Sequence, residues 1–253
     1  MNGDSKSRDF AEYQRSYLEL PFEVFQAEFR REYLLKLLEE TSPAYWMEVG
    51  CGLSPLFEDY PLGQKIRVIE PGSLFFENAS KAAKGYEHIE IINSRLEDLQ
   101  KTSSDLGEPD VIVLSALLHE VEDSREFLNA ARDHGGSKSL YIITVPNALS
   151  FHRLYGEKLY PRQTPESLSA TQIDLQQRRV YNPDTLSREL LESGFEIQSL
   201  APILFKPFTH AQMQALIDFK IFSIEELRSL SQMAPEVTEF GSEILVTAVL
   251  SDS

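Results

Sequence analysis

The sequence has a single cysteine in 253 residues, Cys51, so no intrachain disulfide can form and a buried core must hold the chain together. Basic side chains are also scarce: 24 Lys and Arg stand against 40 Asp and Glu, a formal charge of −16. So acidic a chain lacks the basic surface that phosphate backbones require, and no nucleic-acid partner is expected. No segment approaches 18 consecutive apolar residues, so none is expected to span a membrane. The opening stretch, MNGDSKSRDF, is polar where a secretory signal would be apolar, which makes the cytoplasm the expected compartment. Metal-ligand spacing, a Ser-His-Asp arrangement and a phosphate loop are all missing, and no metal is expected.

What the chain does have is a glycine loop. Tyr45 to Val49 read as a buried strand that carries Glu48, followed by Gly50-Cys51-Gly52 and, near Ser54, the opening of a helix. The two glycines allow a tight turn and close approach of the backbone to a ligand. A second apolar run, Ile66 to Ile69, ends in another acid, Glu70, which can accept hydrogen bonds from both hydroxyls of a ribose. The third glycine of a nicotinamide fingerprint is replaced by Pro55, and Glu48 would repel a pyrophosphate. A ligand with an ammonium group and no phosphate suits the loop better. Cys51 reads either as a small side chain packed under the loop or as a nucleophile.

In these features the chain resembles the class I S-adenosylmethionine-dependent methyltransferases, whose first motif is acid-x-Gly-x-Gly-x-Gly, with Ser54 in place of the last glycine. Residues 90–99 (EIINSRLEDL) resemble the family's third strand and the acidic segment beside the adenine. Asp110 to Leu114 look like its fourth strand, and 115–123 (SALLHEVED) are similar to the loop after it, with Leu118-His119-Glu120 where many relatives have Leu-Glu-His. Segments 145–156, 178–186 and 204–213 are similar to a bacterial small-molecule branch near the ubiquinone-biosynthesis type. The resemblance covers roughly residues 40–250.

It implies an α/β fold: a Rossmann-like, doubly wound, seven-stranded sheet, mostly parallel with an antiparallel final strand, and helices on both faces. The periodicity predicts helices at 8–18 and 21–40, then strands near 45–49, 65–70, 88–93, 110–115, 140–145, 195–200 and 244–250. Helices fall between them at 54–60, 73–84, 123–134 and 183–193. One domain, 1–253, is expected, with N-terminal helices to residue 40, a cofactor half at 41–147, a candidate substrate lid at 148–181, and a C-terminal half at 182–253 with a helical insertion at 202–236. The lid segment reads equally as a solvated connector, and the apolar stripe of the insertion as core, dimer contact or pocket wall.

The resemblance assigns S-adenosylmethionine, with S-adenosylhomocysteine as product, to Glu48, Gly50, Cys51, Gly52, Glu70, Pro71, Arg95, Leu96, Glu97 and Ser115, with Tyr13 and Tyr17 capping its methionine end. His119 and His152, past the tips of the fourth and fifth strands, are the candidate bases for a hydroxyl nucleophile, or else histidines that hold their loops. Asn147, Arg153, Arg178 and Tyr181 are candidate substrate contacts, and Arg153, Arg178, Arg179 and Lys206 could clamp an anionic group. Arg162 belongs to the same basic set. The expected activity is methylation of a small-molecule acceptor, preferably at oxygen, by a monomer or homodimer. A protein or peptide methyltransferase, and a noncatalytic binding module with the same fold, stand beside it.

Overall fold

A computed structural model describes residues 12, 15–17, 19–63, 65–99, 107–160, 164–234 and 239–251. Most of the helix expected at 8–18 lies outside that set, as do Tyr13 and Arg162.

Four strands rich in apolar residues form the centre of the sheet. Strands β1 (Tyr45–Val49), β2 (Lys65–Ile69), β4 (Val111–Ser115) and β5 (Leu140–Pro146) are almost continuously buried, as parallel strands covered on both faces must be. With β3 (Ile89–Ile92), β6 (Phe195–Ile203) and β7 (Glu243–Leu250) they make one seven-stranded sheet in the order β3-β2-β1-β4-β5-β7-β6. β1 to β5 are parallel, and β7 runs antiparallel between β5 and β6. The order reverses between β1 and β4, which opens a crevice at their carboxyl ends.

Two apolar cores flank the sheet. One joins Trp46, Ile66, Val68 and Val113 to Phe29, Leu34 and Leu38 of helix α1 (Glu23–Thr41). The other joins Met47, Ile112, Leu114 and Tyr141 to helices α3 (Ser124–His134) and α6 (Pro183–Glu192) through Phe127, Leu128, Leu186 and Leu190. Helix α2 (Ser73–Ala82) follows β2 and buries Phe75 and Ala79. Local signals set the boundaries. Asp123 caps α3 by accepting from Arg125 N and Glu126 N, and Asn182 with Thr185 forms a capping box ahead of Pro183 at the start of α6.

The helix expected at 54–60 is only a 3-10 turn, Leu56–Glu58. Its start is shared with other elements, although Pro55 O still accepts from Glu58 N at 3.2 Å. Arg31 of α1 donates to Ser54 O at 2.5 Å and Pro55 O at 2.6 Å, while the Leu56 N–H is taken by Glu48 Oε2 at 2.9 Å. The strand expected at 195–200 continues through Pro202 to Ile203, because β6 is the sheet edge, where proline is tolerated.

Both long insertions carry helices. Residues 148–181 contain α4 (Phe151–Leu159) and α5 (Ala170–Asp174), and return to the sheet where Asn147 bridges Tyr181. Beyond β6 come α7 (His210–Asp218) and α8 (Ile224–Gln232), each opened by a capping box, Thr209 with Gln212 and Ser223 with Glu226. Leu227 and Met213 of this pair join the core beneath α1. No helix among the described residues is long and apolar enough to cross a membrane.

Candidate active site

The strand tips and the two insertions enclose a cavity of about 990 Å³. Its floor is the crevice: Gly50, Cys51 and Gly52 after β1, Glu70 and Pro71 after β2, Ser115 to Leu117 after β4, and Asn147 after β5. α1, the α4–α5 segment and the start of α7 form the walls.

At the floor the glycines are required by the backbone. Gly50 has φ +70° and Gly52 φ +58°, and a Cβ on Gly50 would meet Leu117 Cδ2 at 2.7 Å. Glu70 holds the loop: Oε2 accepts from Gly52 N at 3.2 Å and Oε1 from Gly72 N at 2.7 Å. Burial raises its pKa against those two main-chain hydrogen bonds. Glu48 lies deeper, and burial pushes it up to about 7 although the Leu56 N–H and the Arg31 charge favour its ionised form. Cys51 is buried, and burial together with Glu48 and Glu70 pushes its thiol far up, so it stays protonated and unreactive.

The opposite end is a buried polar network with little local trace in the sequence. Along α1, Glu23, Gln26, Ala27, Arg30, Arg31 and Leu34 recur at helical spacing and face the cavity. Arg30 forms a two-point pair with Glu243 of β7, Nε to Oε2 at 2.6 Å and Nη2 to Oε1 at 2.7 Å. Gln26 Nε2 donates to Glu243 Oε1 at 2.7 Å, and its own oxygen accepts from Lys206 Nζ at 2.9 Å. Lys206 also reaches His210 Nδ1 at 3.2 Å, and His210 Nε2 meets Glu23 Oε2 at 3.1 Å. Burial pushes Lys206 down to about 8. It also lowers His210, helped by the Lys206 charge. For Glu23, burial works against ionisation, but His210, Arg30 and Lys206 outweigh it and hold the carboxyl low.

Both candidate histidines line the cavity. His119 is 3% exposed, with Nε2 3.7 Å from Glu120 Oε1, and its carbonyl accepts from Arg178 N. His152, in the first turn of α4, has a buried Nδ1 without a hydrogen-bond partner. Burial, then the neighbouring Lys206, His210 and Arg153, lower its pKa well below the usual value.

The other predicted residues divide. Tyr17 lines the cavity, edge-on to Phe75 at 6.4 Å, while Tyr13 is outside the described residues. Asn147 lines it too, but its side chain is occupied by Gly241 O and Leu149 N. Arg153 borders it with its guanidinium spent on Pro165 O, Ser167 O and Gln172 Oε1, which ties α4 to the segment before α5. Arg95, Leu96, Glu97, Arg178 and Tyr181 are not among its lining residues. Arg95 pairs with Glu97 at 2.8 Å, whereas Leu96 and Tyr181 are core side chains. Arg179 binds Leu118 O and Glu122 O, bracing the loop after β4.

Comparison with known proteins fits this geometry. No curated protein matches the sequence. Among solved structures, the chain is similar to a possible histamine N-methyltransferase from Thermotoga maritima, with 17% identity, 95% of this chain and 98% of that one covered, and a TM-score of 0.59. It is similar to the N-methyltransferase NodS from Bradyrhizobium japonicum in complex with S-adenosylhomocysteine, at 14% identity, 96% and 98% coverage and a TM-score of 0.57. The plantazolicin methyltransferase BamL, in complex with a triazolic desmethylPZN analogue and S-adenosylhomocysteine, matches at 13% identity, 96% and 97% coverage and a TM-score of 0.58. These likenesses establish the fold, and a model of the methyltransferase domain matches residues 24–200. Seven strands in this order, a glycine loop at the switch point and that match over most of the chain make it a member of the methyltransferase domain family, of the class I S-adenosylmethionine-dependent type.

Proposed function

We propose that the chain transfers a methyl group from S-adenosylmethionine to a small molecule, at an oxygen, and that the unit comprises the whole of residues 1–253 with 148–181 as its lid. The observation that carries this is the continuity of one cavity from Gly50 and Glu70 to His152 and Lys206. The floor fits the cofactor. Glu70 retains lone pairs for ribose hydroxyls after accepting two N–H groups, Gly52 faces open space, and Glu48 offers a buried carboxylate to an ammonium. Pro71 lines the cavity next to Glu70 and would border the adenine. When bound, the cofactor supplies an electrophilic methyl carbon on a sulfonium.

The protein's part is alignment, exclusion of water and proton removal. The α4–α5 segment, tied down by Arg153, covers the cavity and keeps water from the acceptor. His152 is held neutral by burial and by its cationic neighbours, so its unpartnered Nδ1 can take a hydroxyl proton as the oxygen attacks. His119 beside Glu120 is the second candidate base. A protein or peptide acceptor is the alternative, and would need the lid to open into a groove.

The test has two steps. Calorimetry should show S-adenosylmethionine and S-adenosylhomocysteine binding to the wild type. Labelled methyl from the cofactor should then appear on members of a hydroxylated small-molecule panel. Absence of heat with either cofactor form sinks the proposal, and labelling of peptides alone moves it to the alternative.

A further inference from the structure

Four Lys or Arg side chains line the cavity among the described residues: Arg30, Arg31, Arg153 and Lys206. Three are committed. Arg30 is neutralised by Glu243 and approached by Glu23 at 3.6 Å. Arg31 pairs with Asp59 and holds the carbonyls of Ser54 and Pro55. Arg153 is consumed by two main-chain carbonyls and Gln172.

Lys206 differs from these three. It is 3% exposed, lies on the cavity wall and forms no ion pair among the described residues. Its partners are neutral, Gln26 Oε1 and His210 Nδ1, so two of its three N–H groups are used. With Nε2–H of His210 donating to Glu23, the ring accepts from Lys206 as a neutral imidazole. Glu23 and Glu243 act on the ammonium through space but are engaged directly by His210 and Arg30, so its own hydrogen bonds go to neutral acceptors and an anion in the cavity it lines would be its first direct ionic partner.

We propose that Lys206 is the specificity residue for an anionic group, a carboxylate or an ionised acidic hydroxyl, on the methyl acceptor. The inference rests on the methyltransferase reading and adds the acceptor's class to it. His152 lines the same cavity and lies close enough for the Lys206 charge to act on its ring, so an acceptor held on the ammonium shares the cavity with the unpartnered Nδ1. A charge-assisted hydrogen bond in a buried site discriminates an anion from its neutral isostere by about tenfold to a hundredfold.

Benzoate and its neutral isostere benzamide serve as probes, titrated calorimetrically into protein saturated with S-adenosylhomocysteine. Benzoate should bind at least about tenfold more tightly than benzamide at pH 7, with the preference kept in Lys206→Arg and lost in Lys206→Met. A purely structural Lys206 would alter both probes together. The wild type carries a second readout that no folding defect can confuse. The groups facing Lys206 are Glu23 and Arg30 of α1, His152 and Arg153 of α4, His210 of α7 and Glu243 of β7. Both histidines have lowered pKa values and Glu23 is held low, so the group titrating above neutrality is Lys206 itself, near 8. Benzoate affinity should therefore fall about tenfold per pH unit above that value while benzamide stays level. Equal affinity for the two probes, no binding of either, or a flat benzoate profile to pH 9.5 overturns the proposal. If benzoate keeps its preference in protein that fails to bind S-adenosylhomocysteine, the anion site stands and the methyltransferase reading falls.

Discussion

Arg30 on the first helix and Glu243 on the last strand meet in a two-point ion pair, at 2.6 and 2.7 Å, across 213 residues of chain. Burial alone would discourage Arg30 from carrying charge, but the carboxylate of Glu243 more than compensates and raises its pKa. Removing one partner leaves a buried charge. Glu243→Ala should destabilise the fold by about 3–5 kcal/mol, whereas Arg30→Met with Glu243→Leu should recover much of that loss. Urea unfolding of the three proteins checks this, and a single variant within about 1 kcal/mol of wild type would mean the pair is solvated.

Glu70→Ala removes the carboxylate that holds Gly52 N and Gly72 N and that faces the ribose in the proposed complex. Affinity for S-adenosylhomocysteine should drop by about 1.5–3 kcal/mol, the range for hydrogen bonds to a charged group. Calorimetry on the folded variant decides it; unchanged affinity would move the ribose elsewhere.

Glu48 gives the cofactor end its own pH dependence. Its carboxyl is raised to about 7 in the folded protein, so below that value it is mostly protonated and offers no charge to an ammonium. Cofactor affinity should rise between pH 6 and 8, with proton release detectable as a buffer-dependent heat. The same raised value means that the folded state binds the extra proton, so the ligand-free protein loses stability as pH climbs from the ordinary carboxylate range through 7. Glu48→Gln should flatten both profiles, and a wild type with no such slopes refutes the assignment.

His152→Ala should lower turnover by about 10²–10⁴-fold at saturating cofactor, with cofactor binding nearly intact. Because the ring is held neutral well below its usual range, the acid limb of the wild-type profile should lie below pH 6.5. If His119→Ala alone carries the rate loss, the base is His119. If neither does, alignment and desolvation must suffice.

The central strands and the floor of the cavity could be read directly because both are local signals. YWMEV and VIVLS are mostly apolar runs with one polar residue each, and Glu48, Gly50 and Gly52 lie within five residues. The acceptor end could not be read that way. Gln26 and Arg30 look like the solvent face of a helix until Lys206 and Glu243, 180 and 213 residues away in sequence, turn that face into a wall. The arginines read as clamps have partners that are hidden for a related reason. Arg153 and Arg179 stand near the right loops, but bind main-chain carbonyls that carry no mark in the sequence. At 54–60 only one 3-10 turn forms, and the contact of Arg31 with the Ser54 and Pro55 carbonyls at its start is not visible in the local pattern.

The place of β7 orders events on the ribosome. β5 and β6 are translated before it, but they are not neighbours in the sheet, and neither has its partner on that side until Glu243–Leu250 is made. β1 to β5 need nothing from that strand to pair with one another, so the nascent chain can assemble the glycine loop early. Its other end must wait. Glu243 is the first residue of the late strand, so the insertion that zips β5 to β6 also delivers the counter-charge to Arg30. A translation pause shortly before residue 243 would thus hold a species with an exposed β5 edge and an Arg30 that lacks its two-point partner, the form most open to capture by a chaperone or by a strand from another molecule.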